Sequence, residues 1–131
     1  MVMDLNPGDE VICAPYTFSA SVVGVLYKGA MPVWADIDPL TYQMDPAKVE
    51  AKITRRTKAI MPVHLFGQIA DMKPIQTLAR THGLKIIEDA AQAHGALYNG
   101  AKTAGLGHFG CFSIYATKNM TTGERGMLTT S

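Results

Sequence analysis

Short apolar runs alternate with stretches of helical character along this chain, and that alternation admits few folds other than a parallel sheet layered with helices. The runs are Glu10-Val11-Ile12-Cys13-Ala14, Met31 to Ala35, Lys58 to Val63 and Leu84-Lys85-Ile86-Ile87. Pro62 cannot donate to a ladder, so it is placed at the end of its strand. Between the runs, Phe18 to Tyr27 carries small and apolar residues suited to a buried helix, with Thr17 or Ser19 as N-cap and Gly29 just past its end. Asp45-Pro46 offers a cap followed by proline at the first helical position, opening a helix through Ile53. Asp71 begins a third helix through about His82, with Met72, Ile75, Leu78 and Ala79 at three-to-four spacing and Gly83 closing it. The expected class is α/β, a mostly parallel sheet with helices on both faces.

After Glu88-Asp89 the texture changes. Asn99-Gly100 is a hairpin-type dipeptide, and Gly105, Gly107 and Gly110 precede a strand-like Cys111 to Tyr115. A polar loop, Ala116 to Arg125, leads to a last short strand at Met127 to Thr130. The 131 residues read as one domain, and 47% hydrophobic with 18% charged residues suits a packed core. A formal net charge of +1 gives no electrostatic reason to expect nucleic acid or an anionic membrane as partner. Neither a membrane-length apolar run nor a signal-peptide pattern at Met1 to Leu5 is visible, so a cytoplasmic location is expected. Cys13 and Cys111 form no Cys-x-x-Cys unit and are expected buried and reduced. His64, His82, His94 and His108 lack ligand spacing, so no metal site is expected. Gly105-x-Gly107-x-x-Gly110 has the spacing of a dinucleotide fingerprint, but it precedes a strand instead of opening a helix.

Open α/β sheets gather ligand groups at the carboxyl ends of their strands. That rule selects Asp89 and the stretch Ser113 to Lys118. Singly, such an aspartate is a helix cap and such a lysine is solvated; together they carry a signal. Glu88-Asp89-Ala90-Ala91-Gln92-Ala93-His94-Gly95, followed by Phe112-Ser113-Ile114-Tyr115-Ala116-Thr117-Lys118-Asn119, resembles the DegT/DnrJ/EryC1/StrS family of sugar aminotransferases. Pro7-Gly8-Asp9-Glu10-Val11, Pro15-Tyr16-Thr17-Phe18, Asp36-Ile37-Asp38-Pro39, Thr57-Lys58-Ala59-Ile60 and Val63-His64-Leu65-Phe66-Gly67 follow that family's order as well.

The resemblance implies a pyridoxal-phosphate enzyme whose chain here is the central part of an aspartate aminotransferase-like (fold type I) large domain, working as a homodimer. It implies transfer of an amino group from an amino acid, commonly glutamate, to a keto sugar linked to a nucleotide. By motif, Lys118 would bond to the cofactor aldehyde and later move the proton. Asp89 would face the pyridine nitrogen, Gln92 the ring hydroxyl and Ser113 the phosphate, and Phe18 would stack on the ring. The chemistry suits these residue types. A fixed carboxylate favours a protonated ring nitrogen, and an amine must be neutral to attack a carbonyl. A hydroxyl with glycine-rich backbone N–H groups suits a phosphate dianion. His64 and His94 lie near this set and are expected to pack or hydrogen-bond.

The family's chains are longer at both ends, lacking here a first phosphate-holding helix start and a small C-terminal domain, so the isolated chain is expected to be poorly active or inactive. At Arg125 the family typically carries glycine, and a left-handed backbone there would be strained. Two other readings stand beside the aminotransferase. Sugar dehydratases of the same fold use the pyridoxamine form, but replace the lysine with histidine. A non-catalytic remnant or binding module of the same fold is the reading from a different class.

Overall fold

A computed structural model of the protein describes residues 3–130. Met1 and Val2, the start of the segment that shows no signal-peptide pattern, and Ser131 lie outside the described residues. The elements follow in order: β1 (Glu10–Cys13), α1 (Ser19–Leu26), β2 (Met31–Trp34), α2 (Pro46–Glu50), β3 (Thr57–Met61), a 3-10 turn (Leu65–Gly67) and α3 (Met72–His82). Then come β4 (Lys85–Asp89), β5 (Leu97–Tyr98), β6 (Ala101–Lys102), β7 (Phe109–Ser113) and β8 (Gly126–Thr130). Among the described residues no helix is long and apolar enough to cross a membrane.

Six strands form one sheet in the order β2-β1-β3-β4-β7-β8, and β5-β6 form a separate hairpin around Asn99-Gly100. Neighbours are parallel except β7 and β8, which run antiparallel. Because β1 pairs with both β2 and β3, the strand order reverses there, and such a switch point opens a crevice at the carboxyl ends of the strands.

Alternation along each strand feeds two cores. Val11 and Cys13 of β1 join Ala59 and Met61 of β3 beneath Val25 of α1. On the opposite face Ile12, Ile60 and Ile86 meet Val49 of α2 and Met72, Ile75 and Ala79 of α3. The α/β class with helices on both faces is thus what the sequence pattern demands. Fully buried side chains such as Ile12, Ile60 and Ile75 contribute roughly 1.5–3 kcal/mol each.

Several boundaries differ from expectation for local reasons. The N-cap of α1 is Phe18, neither Thr17 nor Ser19, and its side chain makes no cap hydrogen bond. The Thr17 hydroxyl turns instead to Ser21 Oγ at 2.7 Å. Helix α2 opens as expected, with Ala47 N–H donating to Asp45 Oδ1 at 2.9 Å, but it ends at Glu50. Its continuation tightens into three-residue turns, Lys52 N–H to Val49 O and Ile53 N–H to Glu50 O. Strand β3 starts at Thr57, stops at Met61 and leaves Pro62 outside, where its carbonyl accepts from Asp89 N–H at 2.9 Å. The Asp71 carboxylate is not used as a cap; it accepts from Tyr98 Oη of the hairpin at 2.5 Å.

Strand β7 begins two residues earlier than the apolar run suggests, with Gly110 inside it. A Cβ there would lie 2.2 Å from Ala104 Cβ, so the absent side chain lets the 104–107 loop lie against the strand. The Gly110→Ala substitution is expected to cost at least the roughly 1–3 kcal/mol of an overpacked core. A urea midpoint equal to that of the native chain would contradict this close approach.

Candidate functional site

Four of the five residues singled out for chemistry, Phe18, Asp89, Ser113 and Lys118, converge on the α1 face of the sheet. A cleft of about 630 Å³ opens there, and its lining includes Phe18, Ser21, Asp89, Ser113 and Lys118. Strand alternation explains the delivery. In β4, Ile87 and Asp89 share this face, and in β7, Phe109, Cys111 and Ser113 do so. Met61, Ile87 and Phe109 make the walls apolar, which strengthens any electrostatic contact formed inside.

Asp89 is held by two donors. Its Oδ1 accepts from Ala91 N–H at 3.1 Å, and its Oδ2 lies 2.6 Å from Ser21 Oγ, the donor of that bond. Ser21 Oγ also lies 3.0 Å from Phe18 O and 2.7 Å from Thr17 Oγ1. A hydroxyl has one proton, so Ser21 donates to one acceptor at a time while receiving from Thr17. Sequence reasoning missed Ser21. The one available signal was a hydroxyl in the first turn of the helix after β1, four residues beyond Thr17.

Lys118 is half-buried, its N–H donating to Tyr115 O at 2.9 Å, and its ammonium group has no ion pair or hydrogen bond among the described residues. Ser113 stands at the end of β7, paired in register with Gly126. The Phe18 ring is 73% exposed at the cleft lip, an aromatic face offered to solvent beside an apolar hollow. Gln92 is not among the residues lining the cleft. Its Oε1 accepts from Phe66 N–H at 2.8 Å, which leaves the amide NH₂ as the end able to donate.

Two expectations need correction. Cys111 is only partly buried and faces the cleft, whereas Cys13 is fully buried; both are free thiols. Burial, then the negative charges of Asp89 and Glu88, push the Cys111 thiol up, and burial raises Cys13 to about 12. Neither is a thiolate near neutral pH. Arg125 is exposed and is not among the left-handed residues; Gly123 takes that conformation, at φ 91°, so the expected strain is absent.

The other face of β4 carries a second polar centre. Glu88, fully buried, takes His64 Nε2 at 3.0 Å and Ala104 N–H at 2.7 Å on Oε2. Its Oε1 takes Leu106 N–H at 2.7 Å and Gly107 N–H at 2.5 Å. Because Ala70 N–H donates to His64 Nδ1 at 3.3 Å, the imidazole carries its proton on Nε2 and donates it to Glu88. Desolvation pushes the Glu88 carboxyl up, but the bonds from His64, Gly107 and Ala104 outweigh it and hold the group below the usual carboxylate range. Of the three clustered glycines Gly107 serves this buried carboxylate, Gly105 N–H donates to Lys102 O, and Gly110 lies within β7. A Cβ at Gly107 would meet Ile86 Cγ2 at 2.8 Å. His94 packs its ring on Phe112, centroids 5.1 Å apart and planes at 35°.

An amine, a fixed carboxylate, a hydroxyl and an exposed aromatic ring around one apolar cleft form a donor set suited to a planar, cationic heteroaromatic ligand bearing an aldehyde and a phosphate. The unpartnered ammonium group and the doubly held carboxylate are the observations that carry this fit.

Comparison with known proteins agrees with that chemistry. The DegT/DnrJ/EryC1/StrS aminotransferase family model matches residues 1–131. The chain is 55% identical to the GDP-perosamine synthase of Caulobacter vibrioides, the match covering 100% of this chain and 35% of that one. It is 50% identical to a UDP-N-acetyl-3-dehydro-alpha-D-glucosamine 3-aminotransferase of Acidithiobacillus ferrooxidans, over 98% of this chain and 35% of the other. Its structure superposes on an aminotransferase of Psychrobacter cryohalolentis with TM-score 0.96 and 46% identity, covering 98% of this chain and 33% of that chain. The chain thus spans about a third of the length of the relatives it matches.

Proposed function

The chain belongs to the DegT/DnrJ/EryC1/StrS aminotransferase family, and from that premise we propose that it forms the cofactor-holding part of a pyridoxal-phosphate-dependent sugar aminotransferase. The family's aminotransferases depend on pyridoxal phosphate. The reaction proposed moves an amino group from an amino acid, glutamate, to a keto sugar linked to a nucleotide, in a cytoplasmic homodimer. Relatives named for GDP- and UDP-linked sugars support the substrate class. The observation that carries the reading is the sharing of one apolar cleft by Lys118 and Asp89.

When bound, pyridoxal phosphate supplies an electron sink for the carbon that gains or loses the amino group. Asp89, oriented by Ser21 and Ala91, would hold a proton at the ring nitrogen. Lys118 would hold the aldehyde carbon through Nζ and would move the proton at the substrate carbon. Ser113 would hold the phosphate by its hydroxyl. Gln92, beside the cleft with its oxygen tied to Phe66 N–H, would offer its NH₂ to the ring hydroxyl. Phe18 would stack on the ring, a contact worth about 0.5–1.5 kcal/mol beyond area burial.

Pyridoxal phosphate added to the chain is expected to give a visible absorption band that borohydride fixes onto the protein; no band at any cofactor concentration would overturn the reading. Removing the Ser21 hydroxyl leaves Asp89 with one donor fewer. Ser21→Ala is therefore expected to weaken pyridoxal-phosphate binding roughly fivefold to tenfold, about the net worth of one typical hydrogen bond. Equilibrium dialysis of the cofactor measures it, and equal affinity would remove Ser21 from the site.

A further inference from the structure

Three exposed aromatic rings stand together outside the cleft. Tyr16, Tyr42 and Phe66 are 47%, 51% and 71% exposed. Tyr16 lies 6.0 Å from Tyr42 and 6.3 Å from Phe66 between ring centroids, tilted by 51° and 70°. Each comes from a different loop, the ones that follow β1, β2 and β3. Those three strands flank the point where the strand order reverses, the place where open α/β sheets receive ligands.

The rings are held there against local preference. Tyr42 and Phe66 are bulky residues in the left-handed region, at φ 60° and 56°. A buried clamp maintains them. Gln43, 4% exposed, donates from Nε2 to Leu65 O at 3.3 Å and accepts Leu65 N–H on Oε1 at 3.4 Å, tying the Tyr42 loop to the Phe66 loop. Gln92 accepts Phe66 N–H, and Asp38 O accepts Tyr42 N–H at 2.8 Å. Burying a carboxamide to present two strained aromatic residues to solvent makes sense for a surface that stacks on a ligand.

We propose that Tyr16, Tyr42 and Phe66 form a stacking platform for the nucleobase of a nucleotide-linked sugar. This rests on the aminotransferase reading given above. The reacting sugar carbon must reach Lys118 inside the cleft, whose lining includes none of the three rings. Tyr16 nevertheless stands next to it along the chain, two residues before Phe18 of the cleft lip. A platform beside the cleft but outside it therefore meets the unreacting end of the substrate. The flat face of a base stacks on aromatic rings of any identity, and the Tyr16 and Tyr42 hydroxyls have no partner among the described residues and can reach a base edge.

Saturation-transfer NMR with UDP, GDP and dTDP, each added alone to the full chain, tests this. Transfer is expected to the base protons. Tyr42→Gly and Phe66→Gly tolerate a left-handed backbone, so they remove rings without disturbing the loops. Each is expected to weaken binding of a nucleoside diphosphate about tenfold while leaving borohydride-fixed cofactor on Lys118 unchanged. Equal nucleotide affinity in both variants, no nucleotide binding by the native chain, or loss of cofactor and nucleotide together would overturn the platform. So would a change in sedimentation with nucleotide binding unaltered, since the rings would then join copies of the chain. Cofactor that fails to fix on Lys118 while nucleotide binding persists would sink the aminotransferase reading instead.

Discussion

The Lys118→Ala chain, mixed with pyridoxal phosphate and reduced with borohydride, is expected to retain no covalently fixed cofactor, whereas the native chain retains one per chain. The half-buried ammonium group of Lys118 lines the cleft without an ion pair or hydrogen bond among the described residues. No partner among the described residues holds it away from a carbonyl carbon placed in the cleft, the atom a nucleophilic amine would bond to. Alanine removes both the proposed attachment point and the proposed proton carrier. In protein that turns over, the rate is expected to fall on the order of 10²–10⁴-fold for the lost proton transfer alone. Mass spectrometry of the intact chain reads the first effect and a 2-oxoglutarate assay the second. Fixed cofactor on the alanine variant would mean that another amine is the reactive one.

The largest expected loss of stability comes from Glu88→Gln. The native carboxylate, buried on the far face of β4, accepts from His64 Nε2 and from the N–H groups of Ala104, Leu106 and Gly107. Glutamine keeps the shape but replaces one acceptor oxygen with an NH₂ that faces backbone donors. Breaking such a buried charged network costs about 3–5 kcal/mol. The substitution also changes the response to acid. The folded carboxyl titrates below its ordinary value of 4.5, so its contribution is complete above that pH and is lost as pH falls through the lower folded value. Denaturant titrations of the native chain should therefore show stability falling below about pH 4.5, and the glutamine variant a shallower fall. Parallel acid limbs for the two chains would contradict the network.

Repetition of short-range pattern made the fold readable. The apolar runs, the Asp45-Pro46 helix start and the Asn99-Gly100 turn all act through neighbouring residues, and the structure puts strands, helix and hairpin where they point. Boundaries slipped where a distant contact decided them. Gly110 looked like a breaker before β7, but it belongs to the strand because Ala104 needs its space. The antiparallel run of β8 depends on pairing with β7, which no local pattern encodes.

The site divides in the same way. Asp89, Ser113, Phe18 and Lys118 came from motifs at strand ends and in the segments that follow them, and the cleft gathers all four. Gln92 came from the same motif, yet it stands outside the cleft lining with its oxygen engaged by Phe66. Ser21 and Glu88 escaped because their roles depend on pairing at long range. Ser21 lies 68 residues from Asp89, and Glu88 lies 24 from His64. Glu88 and Asp89 are adjacent in sequence but face opposite sides of the sheet, one buried for the fold and the other turned to the cleft.

Peptide mapping of the borohydride-reduced native chain measures the claim on which the rest depends. One cofactor mass on the peptide containing Lys118, lost when Asp89→Ala weakens the grip on the ring, is the predicted result. Cofactor spread over several exposed lysines, or retained equally without Asp89, would contradict a site built from that pair.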